Sequence, residues 1–196
     1  MITRDHEQRQ TRSISTKFET REDTAGRHIT GYFAVFGPTY DIAPGMTESI
    51  APGAFSRTLT EYPDVRALVN HDTTLVLGRT KAGTLTLKED ETGLYGDVLI
   101  NPNDQDAVNC WERVRRGDVD QCSFGFEIVD EEPIPRNDGS VHWLIKDVNL
   151  GEVSVCTFPA YEETNIQARA RDAEDIRKRR IEAWKINAKE ELKHGN

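Results

Sequence analysis

Between Ser13 and Phe158 the chain is a succession of short runs rich in β-branched and aromatic residues, each closed by Gly, Pro, Asn or Asp. The runs are "SISTKFE", "HITGYFAVFG", "VRALVNH", "GTLTLKED", "GLYGDVLI", "CSFGFEIVD", "VHWLIKDV" and "GEVSVCTF". Runs of this length and punctuation are strands, and their density predicts a mainly β fold: an antiparallel sheet closed, or nearly closed, into a barrel with a few helices around it. One segment breaks the series. "NPNDQDAVNCWERVRRGD" opens with Asn103 or Asp104 as an N-cap and sets Ala107, Val108, Trp111 and Val114 at helical spacing. It gathers Arg113, Arg115 and Arg116 in its last turn and stops at Gly117. A shorter helical turn is expected from about Pro52 to Thr60.

Composition divides the chain into three. Residues 1–13 are polar and without a period, and are expected to be mobile. Residues 14–165 carry the strands and form the folded domain. Residues 166–196, "IQARARDAEDIRKRRIEAWKINAKEELKHGN", lack Gly and Pro until Gly195 and space Ile181, Trp184, Ala188 and Leu192 at roughly helical intervals. They predict a charged helical extension that docks lightly or forms with a partner. No apolar run approaches the roughly 18 residues of a spanning helix, and "MITRDHEQRQTR" has no signal-peptide core, so a cytosolic protein is expected. A net charge of −9 argues against a general nucleic-acid binder. Cys110, Cys122 and Cys156 form no CxxC pair and have no His at zinc-site spacing, so they read as buried small hydrophobes.

The stretch "DQCSFGFEIVD" carries the chemical signal. Cys122, Phe124, Phe126 and Ile128 alternate with Gln121, Ser123, Gly125 and Glu127, so the phenylalanines face a core and Ser123 faces away from it. Gly125 lies on the Ser123 face, where a missing side chain leaves room for a close neighbour such as an extended peptide. A serine becomes a nucleophile when a base takes its proton, usually an imidazole. Of five histidines, His6 and His194 sit in the chain ends, His28 opens a strand and His142 lies inside one. His71 closes the apolar strand "RALVNHD". A carboxylate that orients the ring would complete the set. Glu152 heads the apolar strand "GEVSVCTF", sharing one face with Ser154 and Cys156; it reads as that carboxylate or as one half of a structural ion pair.

The blocks "ESIAPGAFSRTL", "LVNHD", "LGRT", "DETGL", "RRGDVDQCSFGF" and "EVSVCTFPAY", in this order over about residues 31–166, resemble the prohead proteases of tailed bacteriophages. That family resembles the herpesvirus assembly proteases in fold, a β-barrel surrounded by helices. The resemblance implies a serine endopeptidase without a metal or organic cofactor. His71 matches the general base, Ser123 the nucleophile and Glu152 the third member, with His142 a rival because the herpesvirus relatives use a second histidine there. Cys122 stands where an apolar residue is expected and would compete as nucleophile only if the strand were bulged. Arg115 and Arg116 fall where the herpesvirus enzymes place oxyanion-binding arginines, and equally suit a helix C-terminus. The implied partners are the major capsid protein with its scaffolding region and the protease itself. A homodimer is allowed, and no specific nucleic acid or membrane is implied. The implied location is the host cytoplasm and the interior of the prohead. The competing expectation is a non-catalytic assembly module on the same barrel.

Overall fold

The computed structural model describes residues 9–15, 18–61, 64–158, 174, 176–179, 181–182 and 185. The strands form two sheets. The first contains β1 (Gln10–Ser15), β4 (Tyr40–Ala43), β5 (Met46–Ile50), β6 (Arg66–Val69), β7 (Asp72–Arg79), β10 (Gln121–Pro135) and β11 (Val141–Cys156). Its order runs β1-β10-β11-β5-β4, with β6 also on β11 and β7 on β6. The second sheet has the order β2-β3-β9-β8, from β2 (Glu19–Asp23), β3 (Gly26–Val35), β8 (Leu85–Glu89) and β9 (Gly93–Ile100).

The mainly β expectation holds, but the sheets are not closed into a barrel, and the first is not wholly antiparallel. β11 pairs parallel with β5, from Val141 opposite Met46, and parallel with β6, from Glu152 opposite Arg66. The runs "VHWLIKDV" and "GEVSVCTF", read as two strands, are one strand of sixteen residues. That length follows from its neighbours, because β5 lines its first part and β6 its last, while β10 spans both on the other side. Between β5 and β6 the β11 backbone finds other partners, as buried polar groups must. The segment preceding α1 (Ser56–Glu61), and α1 itself, supply them. Ala54 O accepts from Val148 N at 3.2 Å, and the Thr58 hydroxyl donates to Val148 O at 2.5 Å and accepts from Leu150 N at 3.2 Å.

The core lies between the sheets, where Phe33, Phe55, Phe124 and Phe126 are fully buried. Phe124 and Phe126 stack at 4.9 Å, and Phe55 meets Phe124 edge-on at 5.6 Å. The helix α2 (Gln105–Arg116) forms within the expected segment. Asp104 caps it by accepting from Asp106 N and Ala107 N, and Gly117 ends it at a φ of 80°. Ala107, Cys110, Trp111 and Val114 are its buried stripe, pinned to β3 where Trp111 Nε1 donates to His28 O at 3.1 Å. None of the helices among the described residues is long and apolar enough to cross a membrane.

β1 begins at Gln10, inside the stretch expected to be mobile, and pairs along β10 from Gln10 opposite Phe126 to Ser15 opposite Gln121. Most of the extension expected over 166–196 lies outside the described residues. Those described within it are helical: Ile176 packs on Met46, Val141 and Trp143, and Arg177 Nε donates to Gly139 O at 2.6 Å.

Candidate active site

His71 is not the end of a strand but the second residue of a two-residue turn between β6 and β7, with Val69 opposite Asp72. Asn70 and His71 have φ of 51° and 61°, the left-handed pair that a type I′ hairpin requires. Asn and His are among the non-glycine residues found in that region, at a cost on the order of 1–3 kcal/mol that persists only where the surroundings impose the conformation. Here they do. Asn70 N donates to Val155 O at 3.0 Å, Asn70 Oδ1 accepts from Thr157 N at 2.9 Å, and His71 N donates to Ser154 Oγ at 3.3 Å. The turn is thereby fastened to the last residues of β11, and the imidazole lies over the face of Glu152, Ser154 and Cys156.

His71 Nδ1 bonds Glu152 Oε1 at 2.7 Å. The carboxylate is itself buried and fully engaged. Ser154 Oγ donates to its Oε2 at 2.5 Å, and Arg9 reaches Oε1 at 3.5 Å. A carboxylate on Nδ1 fixes which nitrogen carries the proton and leaves Nε2 as the one able to accept another. That Nε2 faces Cys156 Sγ at 3.9 Å. Burial disfavours the charged ring, but the hydrogen bonds to Cys156 and Glu152 outweigh it and lift the His71 pKa to about 9.

Ser123 sits on the adjoining strand, directly opposite Ser154 and on the same face. Side chains so opposed have Cβ atoms about 5 Å apart, so the register brings the serine beside the His71 cluster. Its hydroxyl is buried and donates to the Arg12 carbonyl of β1 at 2.9 Å rather than to His71. The imidazole contacts are instead made with Glu152, Ser154 and Cys156 of β11, and catalytic hydrogen bonds are often slack or unmade in a resting site.

Several expectations change in detail. The space over Gly125 is not empty. A Cβ there would collide with Glu152 Oε1 and lie 2.8 Å from Arg9 Nε, so the glycine admits the carboxylate that holds His71. Cys122 points away from the His71 face: the register is unbroken from Gln121 to Gly125, and its Sγ points inward to Tyr32 O at 3.2 Å. His142 lies ten residues before Glu152 on β11, about 30 Å along an extended strand, with both nitrogens occupied by Thr47 and Ser49 at 2.9 Å. Arg115 pairs with Glu112 at 2.8 Å and Arg116 with Asp118 at 3.3 Å, as helix-end cations do. Sequence reasoning placed Ser154 and Cys156 on the Glu152 face without giving either a contact with His71. Only the tie between the β6–β7 turn and β11 reveals it. Among the described residues no group of three or more His, Cys, Asp or Glu is gathered to hold a metal.

Fold and site define a two-sheet β protein in which a carboxylate-oriented imidazole faces a serine-bearing strand. The family described as caudovirus prohead serine protease matches residues 15–179, and the chain belongs to that family. It is similar to the prohead protease of Enterobacteria phage HK97, 30% identical over 152 residues, which is 76% of this chain and 65% of that protein. The chain thus spans just under two thirds of that relative's length. No solved structure matches the chain.

Proposed function

We propose that the chain is a serine endopeptidase that matures a phage prohead, with Ser123 as nucleophile, His71 as general base and Glu152 as the group that orients the ring. The observation that carries this reading is the 2.7 Å His71–Glu152 bond on the face where Ser123 stands opposite Ser154. In the first step Ser123 Oγ adds to a peptide carbonyl carbon while its proton passes to His71 Nε2. The tetrahedral adduct collapses as the imidazolium returns that proton to the leaving amine, which leaves an ester on Ser123. Water then attacks the ester with His71 again as base, releasing the new carboxylate and restoring the serine. Glu152 keeps Nδ1 protonated throughout and stabilises the imidazolium. The substrates are the capsid protein with its scaffolding region and the protease itself. The site of action is the interior of the prohead, in the host cytoplasm.

One observation favours a second reading: the thiol nearest the imidazole is Cys156, at 3.9 Å from Nε2. A Cys156–His71–Glu152 set would also suit acyl transfer. Co-expression with the capsid protein and intact-mass measurement of both chains separates these readings from a non-cutting assembly module. New capsid fragments with the native chain, and none with Ser123→Ala, are expected. Fragments that persist with Ser123→Ala rule out Ser123 as nucleophile, and a stable complex with no fragments from the native chain rules out the enzyme.

A further inference from the structure

β1 is an unusual strand to find against a nucleophile. "QTRSIS" is almost wholly polar, yet it lies antiparallel on the edge of β10 that bears Ser123. Its Arg12 carbonyl accepts the Ser123 hydroxyl at 2.9 Å, so the peptide bond presented to the nucleophile is Arg12–Ser13. Ser13 stands opposite Ser123 and Arg12 opposite Phe124, which sends the arginine side chain to the other face of the sheet. There its guanidinium forms a two-point ion pair with Glu48, through Nε to Oε1 and Nη2 to Oε2, and lies 5.7 Å from the Phe126 ring centre. Glu48 is fully buried, and the Arg12 side chain is 10% exposed. The Tyr40 hydroxyl, in the strand residue opposite Glu48, is buried and has no hydrogen-bond partner among the described residues.

Burying a carboxylate and a guanidinium costs about as much as their pairing returns, and an apolar pair of the same volume serves stability as well or better. What such a pair supplies is selection: a buried carboxylate accepts a planar cation and is left unpaired by anything neutral. A polar edge strand that places one cationic side chain in a buried charged socket is the arrangement of a bound peptide. We infer that the groove filled by β1 is the substrate groove, and that Glu48 is the specificity-determining residue that selects an arginine, or less well a lysine, immediately before the bond to be cut. The placing of the cut at Arg12–Ser13 rests on Ser123 being the nucleophile, whereas the charge selection rests on the Arg12–Glu48 pair. β1 is then the chain's own substrate strand. Hydrolysis at Arg12–Ser13 would consume one water and leave a carboxylate on Arg12 and an amine on Ser13.

The test uses the full chain and peptides covering residues 8–19 with Arg, Lys, Gln or Glu at position 12. With the native protein, cutting between positions 12 and 13 is expected, with kcat/KM for Arg at least about 100-fold above Gln, the scale of removing one partner from a buried charge pair. Binding of the same fluorescent peptides to a full-length Ser123→Ala, Arg12→Gln protein, whose own strand has lost its anchor, is expected to rank them alike without any cutting. Glu48→Gln should bring the Arg and Gln peptides to within about threefold of each other. If that variant does not fold, as its melting curve would show, the peptide ranking on the native protein decides. Equal binding and equal cutting of the Arg and Gln peptides overturns the inference, as does cutting of capsid protein with no basic residue before the cut bonds. Cleavage that survives Ser123→Ala but keeps the preference for arginine refutes the nucleophile and leaves the groove and Glu48 standing.

Discussion

β11 carries a histidine cluster at each of its ends, and the two behave in opposite ways. Near its start His142 lies between two hydroxyls, Thr47 on Nδ1 and Ser49 on Nε2, each at 2.9 Å. Near its end His71 has a carboxylate on Nδ1 and only a thiol at 3.9 Å on Nε2. Burial, followed by the positive charge of Arg136, pushes the His142 pKa down, whereas His71 is lifted to about 9. Both rings have serines nearby and both lie in β-sheet surroundings. What separates them is one loosely held nitrogen and a carboxylate in direct contact with the ring. The first ring has both nitrogens engaged by hydroxyls. The second is oriented, chargeable and placed beside a serine on the next strand.

The contrast breaks most visibly at the second cluster. His71→Ala should lower kcat/KM by about 10⁴ or more, the usual scale for a triad member. Glu152→Gln should cost about 10² to 10⁴, because an amide on Nδ1 no longer imposes the tautomer that leaves Nε2 basic. Steady-state cleavage of one peptide, with melting curves to show the fold intact, measures both.

The pH dependence sharpens the contrast. The base works when neutral, so kcat/KM should climb with pH until it passes the His71 pKa near 9. Cys156→Ala removes one of the interactions that raise that pKa, so the rising limb should move to lower pH. A limb that stays in place means the thiol does not act on the ring. Stability follows with the sign set by each shift. His71, raised from 6.5 to about 9, stabilises the fold fully below about 6.5, and that contribution is lost as pH rises through about 9. His142, lowered, acts the other way: its contribution is present above the ordinary histidine range and is lost as pH falls below it.

The smallest effect belongs to the first cluster. His142→Ala strands the buried Ser49 hydroxyl and the half-buried Thr47 hydroxyl and should cost about 1–3 kcal/mol in denaturant unfolding, with kcat unchanged per folded molecule. A fall in kcat comparable to that of Glu152→Gln would return His142 to the mechanism.

Much of this was legible in the residues. Alternation put Ser123 opposite the phenylalanine face of its strand, and set Glu152, Ser154 and Cys156 together, because a strand fixes which side chains share a face. Asp104 and Gly117 bounded α2 because caps are local chemistry. Pairing was not legible. Nothing in "GEVSVCTF" says that β6 runs parallel beside it, or that β5 takes over that edge for the first part of the same strand. Sheet closure is a property of partners, so a density of strands indicated a barrel where two unjoined sheets exist. Gly125 was rightly singled out as cleared space, but its occupant, the Glu152 carboxylate, comes from a residue far away in sequence. The polar N-terminal stretch looked mobile because the Arg12–Glu48 ion pair and the backbone ladder that help to hold it have no hydrophobic signature.

The most direct measurement sets the two candidate nucleophiles side by side, with Ser123→Ala and Cys156→Ala full-length proteins, each folded, incubated with capsid protein and followed by intact mass. Fragments are expected from Cys156→Ala at a rate within about tenfold of the native chain and none from Ser123→Ala, the deficit being that of a lost nucleophile. Cutting by Ser123→Ala together with silence from Cys156→Ala would contradict Ser123 as nucleophile and move the chemistry one strand over.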